Sequence, residues 1–99
     1  MGRTETIRLL AEHAEELRSH YGVQSLFLFG SVARGEDTRS SDVDLIVEFT
    51  PGERVGLFRF LDLKEYLERL LGRPVDLVTR DALKPRLRAS ILAELVHVR

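Results

Sequence analysis

The chain has no cysteine, almost no excess charge of either sign, and no long apolar run. The first absence excludes disulfides and thiolate chemistry, while saying little about compartment. The second follows from 15 Lys and Arg against 16 Asp and Glu, a net charge of -1, with the two signs interleaved throughout. A protein that grips a nucleic-acid backbone usually shows a net basic face, so direct nucleic-acid binding is not expected. The third absence excludes a membrane-spanning helix, which needs about 18 or more consecutive apolar residues. The opening "MGRTETIRLL" turns amphipathic at once and has no signal-peptide core. The expectation is a cytoplasmic protein without a membrane partner. What is present is ordinary for a folded domain: 43% apolar and 31% charged residues. Residues 1–99 are expected to form a single domain, with no room for a separate substrate domain.

The punctuation of the chain is clear. From Thr4, an N-cap candidate, Ile7, Leu10, Ala11, Ala14, Leu17 and Tyr21 recur at helical spacing until Gly22. Val23 to Phe29 is rich in β-formers and reads as a buried strand that ends at Gly30. A polar loop, Gly35 to Ser41, leads to a second strand in which Val43, Leu45, Val47 and Phe49 alternate with Asp42, Asp44, Ile46 and Glu48. Thr50-Pro51-Gly52 breaks this strand, and "LFRFLDLKEYLERLL" forms a second long helix. Its residues Leu57, Phe60, Leu61, Leu67 and Leu71 are assigned to the sheet, leaving Phe58, Leu63 and Leu70 partly outward, an excess that also suits a partner surface. Gly72 and Pro74 stop the helix before a short strand, "VDLVT". A last helix starts near Pro85 with Leu87, Ile91 and Leu95 on one face, and Val96-His97-Val98 closes as an edge strand.

Strand, long helix and strand make a right-handed βαβ unit with parallel strands. Asp42 and Asp44 begin one of these strands and Asp76 lies near the start of the other, so the carboxylates can converge. Gly30 reaches the same end only if the first strand runs antiparallel, which makes the sheet mixed. The fold class is therefore α/β, a small mixed sheet flanked by helices. Residues two apart in a strand point the same way, so Asp42 and Asp44 form a paired platform. Crowded carboxylates repel, and a divalent cation relieves them; oxygen donors without His or Cys favour Mg²⁺ or Mn²⁺ over Zn²⁺. Gly30-Ser31, opening the short turn "SVAR", offers close backbone approach together with N–H and hydroxyl donors for phosphate. Such a pairing suits phosphoryl or nucleotidyl transfer.

Each half alone is a weak signal, since Gly-Ser is common in turns and an isolated Asp-x-Asp is often a solvated strand entrance. Together, Gly30-Ser31, Asp42-x-Asp44 and Asp76 resemble the signature of the DNA polymerase β nucleotidyltransferase superfamily. More closely, "GSVARGEDTRSSDVDLIVEF" and "GRPVDLVTRDALKPRLRASILAELVHV" are similar to the minimal nucleotidyltransferase antitoxins that pair with HEPN-domain ribonuclease toxins. The resemblance implies the polymerase β-like fold and an enzyme that uses ATP and Mg²⁺ to transfer AMP to a tyrosine of its cognate toxin, in a hetero-oligomer with that toxin. By the family pattern Asp42 and Asp44 bind metal, Asp76 completes the site and assists the nucleophile, and Gly30 with Ser31 holds the triphosphate. Two alternatives are a module that neutralises the toxin by contact alone, and a nucleotidyltransferase for a small-molecule acceptor.

Other residues carry two readings each. Arg34 either balances the triphosphate charge or pairs with a neighbouring carboxylate to hold the loop. Arg39 lies in the polar loop and is read as solvated. Arg8 and His13 match the Arg-x4-His spacing of the HEPN toxins, but chance on an amphipathic helix explains them better. His20 and His97 lack a spaced partner for metal, and Tyr66 belongs to helix packing or surface.

Overall fold

The computed structural model describes residues 2–99. Helix α1, Arg3–Glu12, is followed by α2, Ala14–Tyr21. The expected single helix is thus broken at His13, whose backbone N–H bonds back only three residues, to the Leu10 carbonyl, while its ring Nδ1 lies 2.8 Å from the Leu9 carbonyl oxygen. A side chain that engages the preceding turn in this way is a recognised cause of helix bending. The N-cap is Gly2 rather than Thr4, and Thr6, fully buried, donates its hydroxyl to the Gly2 carbonyl at 2.8 Å. Gly22 ends α2 in the left-handed conformation.

Strand β1, Val23–Phe29, pairs antiparallel with β2, Val43–Phe49, and β2 pairs parallel with β3, Val75–Thr79. A short β4, Val96–His97, closes the other edge, giving the order β3-β2-β1-β4. Helix α4, Leu57–Leu71, forms the crossover that returns the chain for a parallel partner, whereas the connection from β1 to β2, residues 30–42, stays at one end of the sheet and leaves those two strands antiparallel. Between β1 and β2 lies a short helix, α3, Gly30–Arg34, where a turn was expected.

Alternation along the strands sorts the core into two layers. Leu26, Leu28, Val43, Leu45, Val47, Val75 and Leu77 pack with Leu10, Leu17, Leu63, Leu67 and Leu71 beneath α1, α2 and α4. On the opposite face Phe29 and Ile46 meet Leu83, Val78, Ile91, Leu92 and Leu95, so helix α5, Pro85–Ala93, and its flanks cover this side. Ile46, placed among the outward residues of β2 by simple alternation, is therefore fully buried.

Two helix faces differ from expectation. On α4, Leu63 is fully buried, whereas Leu57 and Leu61 are 68% and 46% exposed and Phe58 is 84% exposed. The inward stripe is Leu63, Leu67 and Leu71, spaced four apart, joined by Phe60, which packs against the same core and meets Phe49 of β2 edge-on; Leu57, Phe58 and Leu61 fall on the other side of the helix. On α5, Leu87 is exposed and Leu92 takes its place beside Ile91.

This reassignment has a stability signature. Leu63→Ala should cost about 2–5 kcal/mol in urea unfolding. Phe58→Ala should stay within about 0.5 kcal/mol. Equal effects of the two substitutions would return Leu63 to the surface.

Candidate active site

The register brings the chemistry to one end of the sheet. Phe29, the last residue of β1, lies opposite Asp44, and Asp44 lies opposite Asp76 on the parallel partner. Asp44 and Asp76 alternate with Val43, Leu45, Val75 and Leu77 of the α1–α2–α4 core, so their side chains leave the sheet on the α5 face. Asp42 precedes β2 and is exposed, as is Asp76, while Asp44 is half-buried.

Gly30 follows Phe29 directly, with φ +75°, and begins α3. A Cβ built on Gly30 would sit 2.0 Å from Asp44 Oδ2 and 2.9 Å from its Cγ. Glycine was expected here to admit phosphate; the structure adds that Asp44 itself occupies the space above it. The first N–H groups of α3 have no acceptor within their own helix, and Ser31 stands at this end. At the other end of α3, Arg3 donates to the Ala33 carbonyl at 3.2 Å, and Gly35, again left-handed, terminates the helix.

The electrostatics match three acids in close company. Burial, then the charge of Asp76, then that of Asp42 push the Asp44 carboxyl up to about 6, with Arg34 acting in the opposite direction. Arg34 itself donates to Glu36 at 3.1 Å and to Glu94, at the end of α5, at 3.2 Å. Its loop-holding reading is the one seen in these contacts, and its charge also reaches Asp44.

A divalent cation fits this donor set by chemistry, being all oxygen, all acidic and deficient in compensating charge. Among the described residues, however, no three His, Cys, Asp or Glu side chains are already gathered as a cage for a metal ion. Coordination by Asp42, Asp44 and Asp76 therefore calls for side-chain movement, for which Asp42 and Asp76 are both exposed.

Sequence reasoning overlooked Arg73 and Glu94. Arg73 has a side chain only 9% exposed, paired with Asp37 at 3.1 Å. An arginine set between the helix-ending Gly72 and Pro74, three residues before Asp76 at the strand entrance, was the available signal. Arg39 is exposed beside an open depression of about 560 Å³ that Arg73 and Asp37 also line, and that contains none of the three aspartates. Arg8 pairs with Glu5 and Glu12, as expected of a solvated helix face, and Tyr66 donates to Glu16 at 3.0 Å between α4 and α2.

With this geometry in place, the comparisons with known proteins decide the family. The nucleotidyltransferase domain model matches residues 10–98. The chain belongs to the nucleotidyltransferase domain family. It is 44% identical over 90 residues to the protein adenylyltransferase MntA of Thermococcus cleftensis, covering 91% of this chain and 89% of that protein. A solved structure provisionally described as a minimal nucleotidyltransferase superposes with a TM-score of 0.76 at 42% identity, covering 97% of this chain and 95% of the other. The fold recurs, at 19% identity and a TM-score of 0.63, in a complex of a tri-AMPylated Shewanella oneidensis HEPN toxin with an MNT antitoxin, covering 94% of this chain and 71% of that one. The mixed sheet is thus that of a minimal nucleotidyltransferase. Among the described residues no helix is long and apolar enough to cross a membrane.

Two outcomes test the site's geometry without reference to activity. Gly30→Ala should destabilise by about 1–2 kcal/mol from the positive φ alone, with a further cost from collision with Asp44. Part of that further cost should vanish in Gly30→Ala with Asp44→Ala, giving a coupling of about 0.5 kcal/mol or more in a double-mutant cycle; strict additivity would mean that Asp44 does not lie over Gly30. The second outcome concerns pH. An Asp44 carboxyl near 6 when folded, against about 3.9 unfolded, binds its proton more tightly in the folded state. Its stabilising contribution is complete below the unfolded value and is lost as pH rises through the folded one. Metal-free protein should therefore lose stability relative to Asp44→Asn as pH rises from about 4 to about 6, measured as the difference between their urea unfolding curves; a constant difference would reject the shift.

Proposed function

We propose that this chain transfers AMP from ATP to a tyrosine hydroxyl of a HEPN-domain ribonuclease toxin and thereby acts as its antitoxin. The observation that carries the reading is the row Phe29, Asp44 and Asp76, which sets Gly30-Ser31 against two carboxylates at one end of the sheet. The similarity to the Thermococcus cleftensis adenylyltransferase, over nearly the whole of both chains, supports the reaction class. The acceptor rests on the fold shared with an antitoxin found beside an AMPylated toxin.

In this reading Gly30 and Ser31 bind the triphosphate, with backbone N–H groups at the start of α3 and the Ser31 hydroxyl as donors. Arg34 adds positive potential from the far end of the same short helix. Asp42, Asp44 and Asp76 hold Mg²⁺ or Mn²⁺, which when bound supplies charge compensation for the phosphates and for the three acids. Asp76, on the outer strand and exposed, receives the proton of the attacking tyrosine. The new bond joins the phenolic oxygen to the α-phosphorus, the bond from that phosphorus to the bridging oxygen breaks, and pyrophosphate leaves.

Contact inhibition is the competing account, and exposed Leu57, Phe58 and Leu61 give it a physical basis. Intact-mass spectrometry of the cognate toxin, followed by a ribonuclease assay after the two proteins are separated, distinguishes them. Wild type with ATP and Mg²⁺ should add one or more AMP units, and the toxin should stay inactive alone. Asp42→Asn with Asp44→Asn should lose both effects while remaining folded. Full protection by the double mutant, with toxin activity returning on separation, would reject catalysis as the basis of antitoxicity.

A further inference from the structure

Asp42 lies outside the ladder that fixes Asp44 and Asp76. Strand β2 begins at Val43, so no strand pairing sets the direction of Asp42, and its side chain is exposed. Its neighbours on both sides are nevertheless held, and by the same short connector. On the upstream side Arg73 Nη2 and Nε donate to the Ser41 carbonyl at 2.7 and 3.2 Å. Nη2 also donates to the Thr38 carbonyl at 2.9 Å, and Nη1 to Asp37 at 3.1 Å. On the downstream side the Val43 N–H donates to the Pro74 carbonyl at 2.9 Å. The loop adds its own bonds, with the Thr38 N–H donating to Ser41 Oγ and the Ser41 N–H to the Thr38 carbonyl.

We propose that Arg73 is a positioning residue for Asp42: its guanidinium latches the Asp37–Ser41 loop to the connector that leads into β3, so that Asp42 is presented beside Asp44 and Asp76. The chemistry of the side chain suits the task. A guanidinium is planar, permanently charged and able to serve several acceptors at fixed angles, whereas a lysine would supply a single mobile point of charge. With Arg73 only 9% and Asp37 12% exposed, the pair is shielded from water and salt, unlike the surface ion pairs elsewhere on the molecule. Asp37 balances the charge, and the Ser41 and Thr38 carbonyls accept from Nε and Nη2, so a shift of the loop breaks several bonds to one guanidinium at once.

The geometry also ties the two acidic strands together. Pro74, adjacent to Arg73, bonds to the residue after Asp42, and Asp76 follows two positions later. One connector therefore sets the relative position of Asp42 and the outer-strand Asp76, which no contact between the two side chains needs to do. The consequence for AMP transfer rests on the function proposed above; the consequence for the position of Asp42 does not.

Arg73→Met and Arg73→Lys, made in the full chain, test this with three measurements: amide hydrogen exchange at Ser41 and Val43, Mn²⁺ binding in the presence of a non-hydrolysable ATP analogue, and AMP transfer to the toxin as Mg²⁺ is varied. In Arg73→Met, exchange at Ser41 and Val43 should accelerate about tenfold or more while Leu45 and Leu77 stay protected. Mn²⁺ affinity should fall about tenfold to a hundredfold, and the Mg²⁺ needed for half-maximal transfer should rise in step. Arg73→Lys, which keeps the charge but not the fork, should restore less than half of the lost affinity on a logarithmic scale. Wild-type exchange or wild-type Mn²⁺ affinity in folded Arg73→Met would overturn the proposal. So would failure of both variants to fold, since Arg73 would then serve the fold as a whole. If the wild type binds Mn²⁺ and nucleotide but transfers no AMP, the functional reading fails and the binding data still decide the role of Arg73. If it binds no Mn²⁺, exchange at Ser41 and Val43 decides alone.

Discussion

The contact between Asp44 and the bare α-carbon of Gly30 is the constraint around which this domain is arranged. The Asp44 carboxylate occupies the volume that any side chain on residue 30 would claim. That closeness joins the mouth of β2 to the start of α3, and it requires β1 to run antiparallel so that Phe29 and Asp44 stand opposite each other. A residue other than glycine would fail there twice, through its positive φ and through its Cβ. The domain thus sets the start of α3 and an acidic group side by side, and it does so with backbone geometry rather than with long side chains.

The same closeness is costly in isolation. Asp44 is half-buried and feels both Asp76 and Asp42, which is why its proton is held so firmly. A site of this kind is strained in charge until something positive enters; among the described residues Arg34 is the cation whose charge acts on Asp44, and it is itself shared between Glu36 and Glu94. The deficit gives the carboxylates a physical reason to prefer a hard divalent cation. The arrangement of supports is uneven: Asp44 and Asp76 are held by the sheet, while Asp42 depends on a connector with one buried ion pair.

Much of this was legible beforehand, for reasons that differ by element. The strand Val23–Phe29 could be bounded because β-formers run between Gly22 and Gly30, and the start of Val75–Thr79 because Gly72 and Pro74 stop the preceding helix. The opposite directions of β1 and β2 followed from asking how Gly30 could reach the aspartates. Leu63 was misplaced because α4 is apolar on more than one face, and periodicity alone then selects no stripe; the seating of Phe60, Leu63, Leu67 and Leu71 against the sheet makes the choice. The break at His13 was equally hidden, since Leu10, Ala14 and Leu17 keep helical spacing through it.

The amino-acid sequence by itself determined what depends on near neighbours: the alternation that turns Val43, Leu45 and Val47 to the core and Asp44 away from it, the glycines that end α2 and α4, and the parallel crossover between β2 and β3. Such features are governed by backbone sterics and by spacings of two to four residues, which any reader of the chain can count. Only the tertiary structure decided which charges meet. Arg73 finds Asp37 and the Ser41 carbonyl more than thirty residues upstream, and Arg34 finds Glu94 across sixty. In a chain where arginine and glutamate are interleaved everywhere, many such pairings are chemically equivalent, and the packing of α4 and α5 on opposite faces of one sheet selects among them.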